Sequence, residues 1–196
     1  LLAIAVLLPR QPTTARPEAR TVVLVDLSQS MTVVDQPLDG RPVARLAYAR
    51  AALADAIERL PCGSSLGLGV FAGYRPLLLF APIEVCENRA ELLAAVRRLD
   101  TRQAWNGNSE IAKGYYAAWR LVRTLPDRPA LVFITDGHEA PPLNPRLRPA
   151  FDGEIGEVRA VLAGVGGDLP APIPFQDPEG RVRGFWSAEQ VLQVDP

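Results

Sequence analysis

TVVLVDLSQSM, residues 21–31, decides how this chain is read. A mostly apolar run leads into Asp26, and hydroxyls follow two and four positions later, at Ser28 and Ser30. An apolar run of that length bounded by polar residues predicts a strand buried on both faces, so DLSQS falls where the strand ends. One carboxylate and two hydroxyls in five residues fit a helix cap, a nucleophile or part of a metal cage. The rest of the chain has to choose.

Working outward, a loop with Asp35, Pro37, Asp39 and Gly40 precedes a predicted helix over 42–60, whose Leu46, Leu53, Ile57 and Leu60 keep helical spacing. Residues 66–80 read as two short strands turning through 72–75. Cys62 and Cys86 are symmetric about Tyr74, and extended pairing would bring their Cα atoms to about 5.5 Å, the distance of a disulfide. The alternative is two unrelated buried thiols. A helix over 89–99, a polar loop TRQAWNGNSE and a helix from Ile111 ended by Pro126 follow. PALVFITDG, residues 129–137, is a second buried strand ending in aspartate, and residues 158–167 are a third. The tail from Leu169 is Pro-rich up to a short helix candidate at 187–192. Apolar strands alternating with amphipathic helices give an α/β fold class: a doubly wound, mostly parallel sheet with one antiparallel edge hairpin and helices on both faces.

The chain has 196 residues, 48% apolar and 22% charged, which is enough for one domain with its own core. A formal net charge of −1 implies no basic face for nucleic acid. Lys113 is the only lysine; the bias to arginine is assigned to composition and given no functional weight. The start, LLAIAVLLP, is too short to span a bilayer, since eight residues make about 12 Å of helix. It is either a processed terminus or the remnant of a membrane anchor. The second reading is adopted, with residues 1–20 as anchor remnant and tether and 21–196 as a single domain. A disulfide would also place the chain outside the cytoplasm.

In an open α/β sheet, ligands sit beyond the carboxyl ends of the strands, where strand order reverses. Asp26 and Asp136 lie at such ends, and Ser28, Ser30 and Ser109 occupy the adjoining loops. Oxygen donors without His or Cys suit a hard divalent cation, Mg²⁺ or Ca²⁺. Taken singly, Ser28 and Ser30 serve equally as turn residues, Ser109 as a helix cap and Asp136 as a turn former.

DLSQS resembles the D-x-S-x-S signature of von Willebrand factor A domains. ITDG is similar to the second aspartate motif of that family, and GNSEI to its G-x-T-x-I element, with Ser109 in place of threonine. The resemblance implies a metal-ion-dependent adhesion site. Ser28, Ser30 and Ser109 would ligate the cation, and Asp26 and Asp136 would act partly through water. The acidic side chain of a protein partner would complete the shell. WNGNSEIAKG, TDGHEAPP and PIPFQDPEGRVRGFW resemble the MxaL family of von Willebrand A proteins of bacterial methanol oxidation. That likeness implies a periplasmic accessory protein, tethered to the inner membrane, for maturation of the calcium- and quinone-containing methanol dehydrogenase. The aerotolerance-operon von Willebrand A proteins share much of the pattern and imply another partner.

Around the site, Trp105, Asn106, Asn108, His138 and Glu139 are the candidate partner-binding residues. His138, the only histidine, reads equally as a solvated loop residue, and Trp105 as a plug against the core. Trp119 and Tyr115 are expected in the core; Phe185 and Trp186 either fold back over the domain or meet a partner. Asp35 and Asp39 are expected to be solvated. Enzymatic readings are weak. A Mg²⁺-dependent phosphotransferase using Asp26 as nucleophile wants an acid/base two residues on, where Ser28 stands. A Ser28–His138–Asp136 hydrolase lacks a nucleophile elbow. GVGGD, residues 164–168, is followed by prolines and opens no helix, so it is no phosphate loop.

Overall fold

A computed structural model describes residues 18–144, 146, 150–154 and 156–191. The expected anchor remnant and most of its tether, 1–17, lie outside the described residues. Among the described residues no helix is long and apolar enough to cross a membrane.

The central sheet has five strands: β1 (Arg20–Asp26), β4 (Ser65–Ala72), β5 (Arg75–Glu84), β6 (Ala130–Thr135) and β7 (Ala160–Gly164), in the order β5-β4-β1-β6-β7. All neighbours run parallel except the β4–β5 edge hairpin. β1 is the hub, and its alternating side chains feed two cores. Val23 and Val25 pack with Leu46, Leu53 and Ile57 of α1 (Arg45–Arg59) and with Leu92 and Val96 of α2 (Arg89–Arg97). Val22 and Leu24 pack on the other face with Phe71 and Phe133 and with Ile111, Ala118, Trp119 and Val122 of α3 (Ile111–Arg123). A strand covered on both sides must be apolar at every position, which is why β1 shows no alternation in the sequence. The fold class is the one expected, and Trp119 is core as expected; Tyr115 packs against the same core only partly buried.

Cys62 and Cys86 are bonded, with Cα atoms 5.2 Å apart. Irregularities between Leu66 and Leu68 and between Leu68 and Gly69 shift the hairpin register, so the symmetry about Tyr74 holds only approximately. The bond closes the open end of the hairpin, at the amino end of β4.

Several elements differ from expectation. The loop with Asp39 and Gly40 is a hairpin of β2 (Val34–Leu38) and β3 (Arg41–Ala44), so α1 begins at Arg45 instead of 42. Asp39 and Gly40 turn it with φ of 49° and 75°, the left-handed pair that a two-residue Asp-Gly turn requires. The apolar run predicts a buried β7, but Val161 is 59% and Leu162 55% exposed, because β7 is the sheet edge; only its small residues Ala160 and Ala163 pack against the two cores. The Pro-rich tail forms a second hairpin, β8 (Pro174–Gln176) with β9 (Val182–Phe185). Of the helix expected over 187–192 only a 3₁₀ turn, Ala188–Gln190, is formed, and residue 192 lies outside the described residues.

Candidate functional site

Asp26 is the last residue of β1, and Asp136 follows the last residue of β6. The chain leaves β1 through α1 to reach β4 on one side, while β6 lies on the other side. Strand order therefore reverses at the carboxyl end of β1, and a crevice opens there.

Backbone bonds lock three loops around it. Leu27 N–H donates to Phe71 O (2.9 Å), and Gln29 N–H donates to Gly107 O (2.9 Å). Gly73 N–H donates to Asn108 O (2.9 Å), and Glu110 N–H donates back to Gly73 O (2.7 Å). Ala140 N–H donates to Ser109 O (2.8 Å). The segment carrying Ser28 and Ser30, the loop carrying Ser109 and the loop after Asp136 thus form one rim. Ser28, Ser30, Ser109 and Asp26 are all buried to 2% exposure or less.

The carboxylates and hydroxyls of the candidate ligands are hydrogen-bonded, whereas Asn108 Oδ1 on the same rim is buried without a partner among the described residues. Asp26 Oδ1 accepts from Ser28 N–H (2.8 Å), and Asp26 Oδ2 accepts from the Thr135 hydroxyl (2.7 Å). The Ser28 and Ser30 hydroxyl oxygens are 3.0 Å apart. Ser109 donates its hydroxyl proton to His138 O (2.8 Å), which leaves its oxygen lone pairs for a cation. Ser109 is not the cap of α3: Glu110 holds that position, without a side-chain bond to the helix. Burial pushes the Asp26 carboxyl up to about 6, against the opposing pull of its bonds from Ser28 and Thr135.

Two residues at the rim were missed in the sequence. Thr135, the threonine of ITDG, orients Asp26. Arg45 reaches across from the start of α1 and donates from Nη1 to Asp136 Oδ2 (2.8 Å). Its Nε and Nη2 hold Asp35, at 3.0 and 2.6 Å from Oδ2. Gly167 N–H also donates to that oxygen (3.0 Å), so Asp35 is a buttress and not a solvated loop residue. The guanidinium holds the Asp35 carboxyl below the usual range. Arg45 was hidden by the arginine-rich composition: nothing in its local sequence separates it from its exposed neighbours.

The charges test the fit to a metal. Among the described residues Asp26, Asp35 and Asp136 are balanced by Arg45 alone, which bonds two of them, so the crevice carries a surplus of two negative charges when all are ionised. A divalent cation neutralises that surplus. The donors are oxygens only, from carboxylates and hydroxyls, which is the chemistry of Mg²⁺ or Ca²⁺. Asp136 already spends Oδ2 on Arg45 and Oδ1 on His138 N–H (3.0 Å), which suits it to neutralise charge more than to ligate directly.

The candidate partner-binding residues divide. Trp105 is 48% exposed, on the rim, and not a core plug. Asn106 is exposed nearby. Asn108 donates from Nδ2 to Ala140 O (2.7 Å), tying two loops together. His138 contributes its backbone to the site. Glu139 Oε2 accepts from Ala112 N–H (3.1 Å) at the start of α3, and its burial raises its carboxyl above the usual value. Asn108 and Glu139 therefore brace the rim instead of facing outward. The tail reaches the rim as well: Trp186 Nε1–H donates to Gln29 Oε1 at 2.6 Å.

Residues 21–138 match the sequence profile of the von Willebrand factor type A domain. No curated protein matches the chain. Among solved structures, an uncharacterised membrane-spanning protein from Vibrio fischeri is similar at 23% identity and a TM-score of 0.46, over 66% of this chain and 62% of that one. A von Willebrand factor type A protein from Catenulispora acidiphila is similar at 21% identity and a TM-score of 0.42, over 60% of this chain and 25% of that one. The PilB minor pilin from Streptococcus sanguinis is similar at 17% identity and a TM-score of 0.46, over 63% and 31%. The chain spans less than two thirds of the length of each.

Proposed function

The chain belongs to the von Willebrand factor type A domain family, and from that premise we propose that it is a non-enzymatic, metal-dependent protein-binding module. Ser28, Ser30 and Ser109 hold a divalent cation, Mg²⁺ or Ca²⁺, and Asp26 and Asp136 supply the negative charge that retains it. When bound, the cation presents a Lewis-acidic face to a carboxylate on a protein partner. Thr135 and Arg45 fix the two aspartates. The observation that carries this reading is the convergence of three buried hydroxyls and two strand-end carboxylates on one rim tied together by backbone bonds.

The finer reading is a periplasmic accessory factor, tethered to the inner membrane, for methanol dehydrogenase maturation. Its support is the resemblance of WNGNSEIAKG, TDGHEAPP and PIPFQDPEGRVRGFW to the MxaL family, together with a disulfide that suits an oxidising compartment. Affinity capture from a methanol-grown periplasmic extract tests it, run with divalent cation, with chelator and with Asp26→Ala as bait. Recovery of a dehydrogenase subunit only with cation and intact Asp26 supports both levels of the reading. Recovery of other proteins on the same terms retains the metal-dependent module and discards the methanol assignment. Capture indifferent to cation and to Asp26 discards the module. Turnover of a phosphate ester by the purified chain, abolished by Asp26→Asn, would instead establish the phosphotransferase.

A further inference from the structure

The C-terminal hairpin does not pack on the sheet but beside the rim, and a cavity of about 480 Å³ opens between the two. One wall is the rim, with Ser30, Asn106 and His138; the other is the tail, with Ile173, Trp186 and Val191. We infer that this cavity is a peptide slot continuous with the metal face, which takes an extended acidic segment of a partner protein, its carboxylate at the Ser30 end and an apolar flanking side chain against Ile173 and Trp186. The inference rests on the reading of the rim as a metal-dependent binding face and adds the chemistry of the segment it selects.

The tail wall is built, not draped. Trp186 is fixed at both ends of its residue: backbone N–H to Ile173 O at 3.0 Å, and indole N–H to Gln29 Oε1 at 2.6 Å. Phe175 stands edge-on to the indole, centroids 5.0 Å apart, and Pro174 pairs with Phe185 and Phe175 with Gly184 ahead of a register shift at Gln176. Gln29 lies between Ser28 and Ser30, so one hydrogen bond registers the tail to the segment that carries two of the candidate ligands. The size lies within the 300–1,000 Å³ typical of ligand clefts, and is about that of a few side chains.

The proposed cation sets the preference for a carboxylate, and the lining sets what flanks it. Among the described residues no Asp, Glu, Lys or Arg lines the cavity; Ser30, Asn106, Asn108 and His138 line its rim end, and Ile173, Trp186 and Val191, with Gln190, its tail end. Once a divalent cation neutralises the surplus charge of Asp26, Asp35 and Asp136, an acidic side chain meets no net repulsion at the Ser30 end. The exposed rings of Trp105, Phe175 and Phe185, at 48%, 42% and 59%, stand on the same loop and hairpin that form the walls and offer further apolar contact to a segment running past.

The test uses three acetylated, amidated tripeptides, Leu-Asp-Leu, Gly-Asp-Gly and Leu-Asn-Leu, titrated into the ¹⁵N-labelled chain in Mg²⁺, in Ca²⁺ and in EDTA. The Trp186 indole signal, assigned by its loss in Trp186→Phe, is the local reporter. The expected result is a shift of that signal and an affinity for Leu-Asp-Leu about tenfold above Gly-Asp-Gly, as burial of about one leucine side chain gives. Trp186→Ala and Ile173→Ala each reduce that ratio; Ile173→Ala leaves the indole bond in place and guards against loss of the tail fold. Equal affinity of the two Asp peptides for the wild type, or an unchanged ratio in both variants, overturns the slot. Cation-dependent binding of Gly-Asp-Gly in the same titration would then still uphold the metal face. Binding of none of the peptides in either cation overturns both, and equal binding of Leu-Asn-Leu overturns the acidic ligand.

Discussion

Arg45 Nη1 lies 2.8 Å from Asp136 Oδ2, and the same guanidinium grips Asp35 through Nε and Nη2. The Asp136 side chain is fully buried and that of Arg45 11% exposed, so this largely buried bridge joins α1 to the end of β6. Removing one partner of a buried pair leaves a charge without compensation, which costs about 3–5 kcal/mol. Arg45→Ala should lose that much in urea denaturation, and Arg45→Lys most of it, because an ammonium cannot serve both carboxylates in the same fork. A loss below about 1 kcal/mol in Arg45→Ala would show that the bridge does not hold the two aspartates.

The pH dependence follows from Asp26, whose carboxyl is raised from 3.8 to about 6 by burial. In the metal-free protein the folded state then binds more protons than the unfolded state between those values. Stability should therefore fall as pH rises from about 4 to 6, by up to about 3 kcal/mol, and level off above. Asp26→Asn, which mimics the protonated form, should lose the Asp26 share of this slope and keep only that of Glu139, whose carboxyl burial also raises. A bound divalent cation favours the carboxylate, so the rise in Tm on adding Mg²⁺ or Ca²⁺ should grow through the same window and flatten near pH 7. Thermal scans of both proteins with and without EDTA check this; a cation effect independent of pH would exclude Asp26 from the site.

The Cys62–Cys86 bond closes a loop with a sequence separation of 24, at the amino end of β4 and so at the opposite end of the sheet from the rim. Chain-entropy reasoning gives about 3.5 kcal/mol for a loop of that size. Reduction, or Cys62→Ser with Cys86→Ser, should lower stability by that order while leaving cation affinity within about twofold. Calorimetric titration of the reduced chain decides, and a large loss of cation affinity would mean that the hairpin transmits to the rim.

Gly114 of α3 sits over Phe71: a Cβ there would come within 2.0 Å of Phe71 Cε2 and 2.6 Å of Cζ. Phe71 pairs in register with Asp26, and its carbonyl receives Leu27 N–H just past it. Alanine would gain about 1 kcal/mol of helix propensity, but overpacking typically costs about 1–3 kcal/mol. Gly114→Ala should thus be net destabilising in chemical denaturation. A stabilised variant would show that α3 can move off the sheet freely.

Much of this was legible locally. The strands carrying Asp26 and Asp136 announce themselves because a strand covered on both faces must be apolar throughout, and the motif hydroxyls are recognisable because their spacing is fixed along one loop. The same local rules misled at β7, whose apolar run predicts burial but which the sheet order places at an edge. The Asp39-Gly40 turn carries its hairpin signal in two residues, but prolines at 37 and 42 in the flanking segments argue against strands there and mask it.

What the sequence by itself determined is therefore the order of strands and helices, the strand ends, and the residue types gathered there, all set by interactions among near neighbours in the chain. Only the tertiary structure decided which far-off groups meet them. Arg45 reaches Asp136 from 91 positions away, Thr135 reaches Asp26 from 109, and Trp186 reaches Gln29 from 157. An arginine, a threonine or a tryptophan has no local pattern that reports such a partner. Its role is settled by sheet order and by the need of each buried charge and donor for a counterpart, which is a property of the packed molecule and not of any stretch of it.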